Sequence, residues 1–355
     1  MHVDVLIVGQ GICGTMLSWF LKKEGKTFLI IDEEKESSSS LISAGIINPV
    51  TGRRYVTTWM IEDLLSFAKT TYAELSDFLQ ASLITPKSII DFFPSPQMRE
   101  AFIERVAEDD TYLHAFPDQN SFNPFFNYEF GCGEICPCYV VNFQSLLRLW
   151  RNYLQDSGAV LNERFETAEV IVSAQEIAYR NFTADKIVFC DGINSLQNRW
   201  FKLLPFSANK GECLIIETEA LPSDFIFKKG TALVPISEPN QYWVGSSYQW
   251  EFSDDLPSEQ FLQKTTAHLN QWLKKPFKVL EHKAAVRPAT LERRPFVGFH
   301  PVHSSLGILN GMGTKGASLA PFFANQLVQN MVYNLPIADE ANVSRFNKIL
   351  STHSS

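Results

Sequence analysis

A chain that opens Val3-Asp4-Val5-Leu6-Ile7-Val8-Gly9-Gln10-Gly11-Ile12-Cys13-Gly14 has few folds open to it. An apolar run of strand length leads into glycines spaced G-x-G-x-x-G. An apolar-periodic run to Glu24 follows, and then Thr27-Phe28-Leu29-Ile30-Ile31-Asp32. The pattern is strand, glycine turn, helix, strand and terminal acid. The three glycines differ in what they permit. Gly9 turns the chain off the strand, Gly11 lets backbone approach a pyrophosphate, and Gly14 lets the helix pack on the sheet. The helix N-terminus, at Ile12, presents free N–H groups and the positive end of its dipole to an anion. Asp32 follows Gly9 by 23 residues, close to the spacing of a carboxylate that grips a ribose hydroxyl. The stretch predicts a dinucleotide site.

With 355 residues the chain is long enough for two domains and a large core. Its net charge of −8 and lack of a basic block predict no dedicated nucleic-acid surface. No apolar run reaches the ~20 residues that cross a bilayer, so no transmembrane segment is expected. The N-terminal apolar run ends in the glycine turn, and cleavage there would destroy it. The expectation is therefore no signal peptide and a cytoplasmic location.

Along the chain, Ile12, Met16, Trp19 and Phe20 form the inward face of the first helix, which Gly25 closes. The polar segment Glu33 to Ser40 is either a solvated loop or the path from ribose to pyrophosphate. In Ser43-Ala44-Gly45-Ile46-Ile47-Asn48-Pro49, small residues before an Asn-Pro break suggest backbone passing close to something flat or bulky. Arg53 and Arg54 form either a solvated turn or an anion contact. A helix is expected over 58–79. From Thr85 to Cys138 prolines and aromatics interleave without helical period, which predicts short strands and an aromatic core. Cys132, Cys136 and Cys138 fit no standard metal spacing and read as buried thiols.

A helix over 140–158 and a strand near 159–165 precede Lys186-Ile187-Val188-Phe189-Cys190-Asp191-Gly192, a parallel strand ending in a glycine turn. A helix is expected from Ser195. Antiparallel strands occupy roughly 207–283, with a helix near 259–273. Then come Val286-Arg287-Pro288, Arg293-Arg294-Pro295, a strand at Leu306 to Leu309, and Asn310-Gly311-Met312-Gly313-Thr314-Lys315-Gly316 opening a last helix. Two glycine-rich strand-to-helix turns suggest one large ligand held at both ends. The fold class is α/β. A discontinuous Rossmann-like domain takes residues 1–80, 140–206 and 284–355, and a second, antiparallel-sheet substrate domain takes 81–139 and 207–283.

These motifs together resemble the D-amino-acid oxidase and glycine oxidase family of FAD-dependent oxidoreductases, from residue 3 to about 330. The resemblance implies that Gly9, Gly11, Ile12 and Gly14 bind the FAD pyrophosphate, and Asp32 with Glu33 the adenosine ribose. It also implies that Ser43, Ala44, Gly45 and Ile46 lie along pyrophosphate and flavin, beside Gly192. Gly313, Thr314, Lys315, Gly316 and Ala317 would approach the pyrimidine edge of the flavin. Arg287 stands where the family holds a substrate carboxylate. Tyr248 and Tyr242 are the candidates for the family's active-site tyrosine, with Tyr248 preferred. The C-terminal turn has no cysteine, so FAD is expected to be noncovalent.

The implied chemistry is oxidation of the C–N bond of an amino acid or N-substituted glycine by hydride transfer to flavin N5, with Arg287, Lys315 and Tyr248 as the catalytic set. No histidine is required. Small-molecule substrate, no DNA and no metal complete the expectation. More distantly, the chain resembles the FAD-dependent domain of an enzyme that matures a tRNA wobble uridine. That reading would show as Lys202, Lys210, Lys228 and Lys229 converging on the flavin. The motifs are also compatible with a noncatalytic FAD-binding protein or an NAD-dependent dehydrogenase.

Overall fold

The computed structural model describes residues 1–173, 176–219 and 221–352. Two large sheets organise it. The first runs, in spatial order, Val170–Val172, Ile177–Tyr179, Phe182–Phe189, His2–Val8, Phe28–Asp32 and Val160–Asn162. Leu306–Asn310 adds parallel to Phe182–Phe189, and Phe296–Phe299 pairs antiparallel with it. His2–Val8 is parallel to both neighbours, with Val8 opposite Ile31 on one side and Phe189 on the other. All the parallel strands therefore end at one edge. That edge is where a doubly wound sheet opens its crevice.

The helix Ile12–Lys23 buries ten consecutive residues, from Ile12 to Leu21. A helix buried all round reads as apolar on every face. Met16 and Leu17 are fully buried, and each side chain contributes roughly 1.5–3 kcal/mol relative to an exposed one. This helix, Ile61–Leu79, Phe143–Asp156 and Gly316–Tyr333 cover one face of the sheet in a single apolar cluster. Trp200, Phe201, Leu204 and Val343 cover the other.

The second sheet runs Phe277–Arg287, Asn209–Thr218, Gln241–Gly245, Thr231–Pro235, Phe225–Lys229, Ile84–Phe92, Cys132–Val141 and Ile46–Ile47. Leu113–Ala115 pairs with Cys132–Val141. All its pairings are antiparallel except Phe225–Lys229 with Ile84–Phe92. Its two faces differ. Leu214, Phe227, Leu233 and Val244 pack with Phe92, Phe122, Phe126 and Trp272 in an aromatic core. Cys213, Ile226, Val234 and Trp243 face the other way.

Three local expectations differ from the structure. Residues 96–108 form a helix, Pro96–Glu108, where only strands were expected. It buries Phe102 alone, so its sequence shows no apolar stripe. The element near Ser195 is a short 3-10 helix, Gly192–Gln197, that starts at the glycine turn itself. The helix after the Asn-Pro break begins at Ile61 rather than Thr58. Among the described residues no helix is long and apolar enough to cross a membrane.

Candidate active site

The glycine turn after Val8 is held by sterics. Gly9 has φ +97°, and a Cβ there would lie 2.7 Å from the Cys190 carbonyl oxygen. A Cβ on Gly14 would lie 1.9 Å from the Gly9 carbonyl oxygen, so the helix sits against the turn as only glycine permits. The Ile12 N–H donates to Ser40 Oγ at 3.1 Å. The N–H groups of Gly11 and Cys13 have no partner among the described residues, and both residues line the cleft. At the far turn, Lys315 caps the helix Gly316–Tyr333, and the N–H groups of Gly316 and Ala317 are likewise free among the described residues. The two turns touch: a Cβ on Gly316 would lie 3.4 Å from Ile12 Cγ2.

One cavity of about 850 Å³ connects these turns. Gly9, Gly11, Ile12, Asp32 and Glu33 line it from the first sheet, and Ser43, Ala44, Gly45 and Ile46 from the crossing segment. Gly192 and the run Gly313 to Ala317 close one side, and Arg287 and Tyr248 come from the second sheet. Gly14 does not line it and serves packing instead. Asp191 also lines the cavity; burial pushes its carboxyl up to about 6, and Ser195 Oγ donates to it.

These features test whether FAD fits. Backbone N–H groups free at two helix starts, with no Cβ in the way, suit a pyrophosphate at one turn and an electron-rich ring edge at the other. The Asp32 carboxylate accepts from Gln10 N at 2.7 Å, Glu34 N at 2.8 Å and Arg151 Nη1 at 2.7 Å. A carboxylate offers about four lone-pair sites, so one remains for a ribose hydroxyl. The residues fit the cofactor.

A family model described as FAD dependent oxidoreductase (DAO) matches residues 4–330. The chain belongs to the DAO family of FAD-dependent oxidoreductases. Among solved structures it is similar to glycine oxidase from Geobacillus kaustophilus, at TM-score 0.78 and 17% identity over 95% of this chain and 96% of that one. Iminodiacetate oxidase from Chelativorans sp. BNC1 gives 0.76 and 16%, over 95% and 98%. L-Proline dehydrogenase from P. horikoshii gives 0.74 and 12%, over 98% of each. At these identities the likeness shows the fold.

Within this DAO-family cleft, Arg287 is a half-buried cation without a carboxylate. Its Nη1 donates to Asn209 Oδ1 at 2.6 Å and the Ser247 carbonyl at 3.2 Å, and its Nη2 to Ser246 Oγ at 2.7 Å. All three acceptors are neutral, and no ion pair to Arg287 exists among the described residues. Burial lowers its pKa, but a guanidinium stays charged. Gly211 makes room for it: a Cβ there would lie 1.9 Å from Nη2. Tyr248 is largely exposed, yet its ring centroid lies 4.9 Å from the guanidinium carbon. Tyr242 lies in the aromatic core on the opposite face, where its hydroxyl accepts from Leu221 N.

Lys315 is half-buried; burial and the charges of Arg294 and Arg293 lower its pKa. Arg53 and Arg54 are exposed in the turn between Val50–Thr51 and Val56–Thr57. The segment after Asp32 lines the cavity with Ser37 to Ser40, and its short helix Ser39–Ile42 is capped by Ser38. Of Lys202, Lys210, Lys228 and Lys229, Lys228 alone lines the cavity, paired with Asp91 at 2.7 Å, and Lys210 is buried beside Asp254 at 3.4 Å. The six cysteines are free; Cys132, Cys136 and Cys138 are spread along one strand.

Arg151, Ser40 and Ser246 were not singled out from the sequence, and Lys228 was named there only as one of four lysines of a basic patch. Arg151 is buried, bonds Asp32 and Asn162, and comes from a helix 119 residues away from Asp32. No local pattern marks such a partner. Ser40 carried a signal, the serine run after the ribose acid.

Proposed function

We propose that this DAO-family protein oxidises the C–N bond of a small amino acid or N-substituted glycine. The observation that carries the reading is Arg287: a cation inside the cleft, braced by neutral acceptors and lacking an anion. Burying an unpaired charge costs several kcal/mol, and a substrate carboxylate offsets that cost. A guanidinium presents a planar fork that takes a carboxylate by two parallel bonds. The fork thereby fixes the carbon next to the carboxylate, and such orientation is worth several kcal/mol of the barrier. The Tyr248 ring lies against the guanidinium, its centroid 4.9 Å from the guanidinium carbon.

When bound, noncovalent FAD supplies the electron acceptor for the hydride at flavin N5. Gly9, Gly11, Ile12, Asp32 and Glu33 would hold its adenosine diphosphate part. Ser43, Ala44, Gly45, Ile46 and Gly192 would flank its length. Gly313, Thr314, Lys315, Gly316 and Ala317 would hold the pyrimidine edge, where Lys315 and free N–H groups favour negative charge. The amine is bound neutral, so no side chain need remove a proton.

The test begins with the absorbance of the purified protein, which is yellow if FAD is bound. Under anaerobic conditions the flavin is then titrated with amino acids and N-substituted glycines. Bleaching by a carboxylate-bearing amine is expected. Arg287→Leu should lower the second-order rate of bleaching by more than tenfold, about 1.4 kcal/mol. Bound flavin that no amine bleaches would mark a noncatalytic FAD protein.

A further inference from the structure

The cavity extends far past Arg287, along the face of the second sheet. Cys213, Gly245, Ala232 and Lys228 are successive cross-strand partners there, and Asp91 follows Lys228. Directly paired residues share a face. Gly211, two residues before Cys213, shares it too and carries the Arg287 guanidinium. The floor between the two cations is therefore glycine, cysteine and alanine, with the edge of the Trp243 ring against Gly245, and all of it lines the cavity. Three strand spacings separate Cys213 from Lys228, roughly 14 Å.

Lys228 Nζ donates to Asp91 Oδ2 at 2.7 Å, with the carboxylate side chain only 5% exposed and the lysine 33%. Burial pushes the Asp91 carboxyl upward. Apolar residues of similar size often hold a core as well as a buried ion pair does, so the pair is weak evidence of a purely stabilising role. An ammonium has three donors, and Asp91 takes one. The remaining donors belong to a side chain that lines the cavity.

We propose that Lys228, held by Asp91, is a second anchoring point for the substrate. Resting on the function proposed above, this narrows its class. The substrate is an amino acid or N-substituted glycine that carries a hydrogen-bond-accepting group, carbonyl or carboxylate, at the end remote from the Arg287 carboxylate. Glycine and sarcosine are too short to reach both points. A site built to hydrogen-bond a substrate group discriminates strongly against analogues lacking it, because its own donors are then left unpaired.

The FAD-loaded protein is titrated anaerobically with four probes, and half-saturation and limiting bleaching rate are read separately. The probes are sarcosine, N-(5-carbamoylpentyl)glycine, N-(5-carboxypentyl)glycine and the apolar N-(6-methylheptyl)glycine. At least one accepting probe should half-saturate at a concentration about tenfold or more below that of the apolar probe. The better of the amide and the carboxylate identifies the group. Lys228→Met should remove that preference while leaving sarcosine within about twofold, and Lys228→Arg should restore part of it. Equal half-saturation for accepting and apolar probes overturns the inference and leaves the proposed function standing. So does a Lys228→Met variant that weakens all four probes alike. Bound flavin that none of the four bleaches, together with no bleaching by other amino acids, overturns both.

Discussion

Lys315 is an ammonium set among cations; burial lowers its pKa, and Arg294 and Arg293 lower it further. A lysine is held in such a place at a cost, and an anion in the cleft would offset it. The negative charge of reduced flavin is such an anion, so Lys315 should favour the reduced form. Lys315→Met is expected to make the reduction potential more negative by about 30 mV or more, which is roughly 1.4 kcal/mol for two electrons. A dye-coupled redox titration measures this, and an unchanged potential would assign Lys315 to packing alone. Its place at the cleft was legible in the sequence because its glycine context announces it. Arg151 and Lys228 were not. Each is bonded to a partner that is remote in sequence, Asp32 for one and Asp91 for the other.

The helix Ile12–Lys23 and the turn before it form one mechanical unit. Gly14 sits where a Cβ would meet the Gly9 carbonyl at 1.9 Å, a backbone atom that cannot swing aside. Gly14→Ala should therefore push the helix off the turn. Strain of this sort costs typically 1–3 kcal/mol. Thermal unfolding should shift down and the purified protein should lose most of its flavin absorbance. Gly25→Ala provides the contrast. Gly25 has φ +67° and nothing within 4 Å, so alanine there strains only the helix end and should leave flavin content unchanged. Both elements were legible because strand, glycine turn and helix follow one another within the chain. The helix Pro96–Glu108 was not, since it buries one side chain, Phe102, against Tyr55 and Phe93 and has no period to read. The 3-10 turn Gly192–Gln197 was misplaced for a related reason. Its glycine begins the element, at φ +57°, rather than preceding it.

The cleft belongs to neither sheet alone. The first sheet contributes the turn at Gly9 and the acid at Asp32, and the second contributes Gly211, Cys213, Ala285 and Arg287. Ser43 to Ile46 crosses between them, and Ile46–Ile47 pairs with Cys132–Val141. The sequence made the first sheet plain because parallel strands are continuous apolar runs. The second was harder to order. Its neighbours are far apart along the chain, as where Phe225–Lys229 lies beside Ile84–Phe92. A cofactor that fills this cleft should couple the two sheets. FAD held at a hundredfold excess over its dissociation constant should stabilise the protein by about 2.7 kcal/mol. Its removal should lower the unfolding midpoint accordingly. Hydrogen exchange on the loaded and stripped protein locates the effect. Amides of Gly9 to Gly14 and amides of Gly211 to Cys213 should both lose protection when FAD is stripped. Loss confined to the Gly9 turn would mean that the ligand grips one sheet and leaves the other to the substrate.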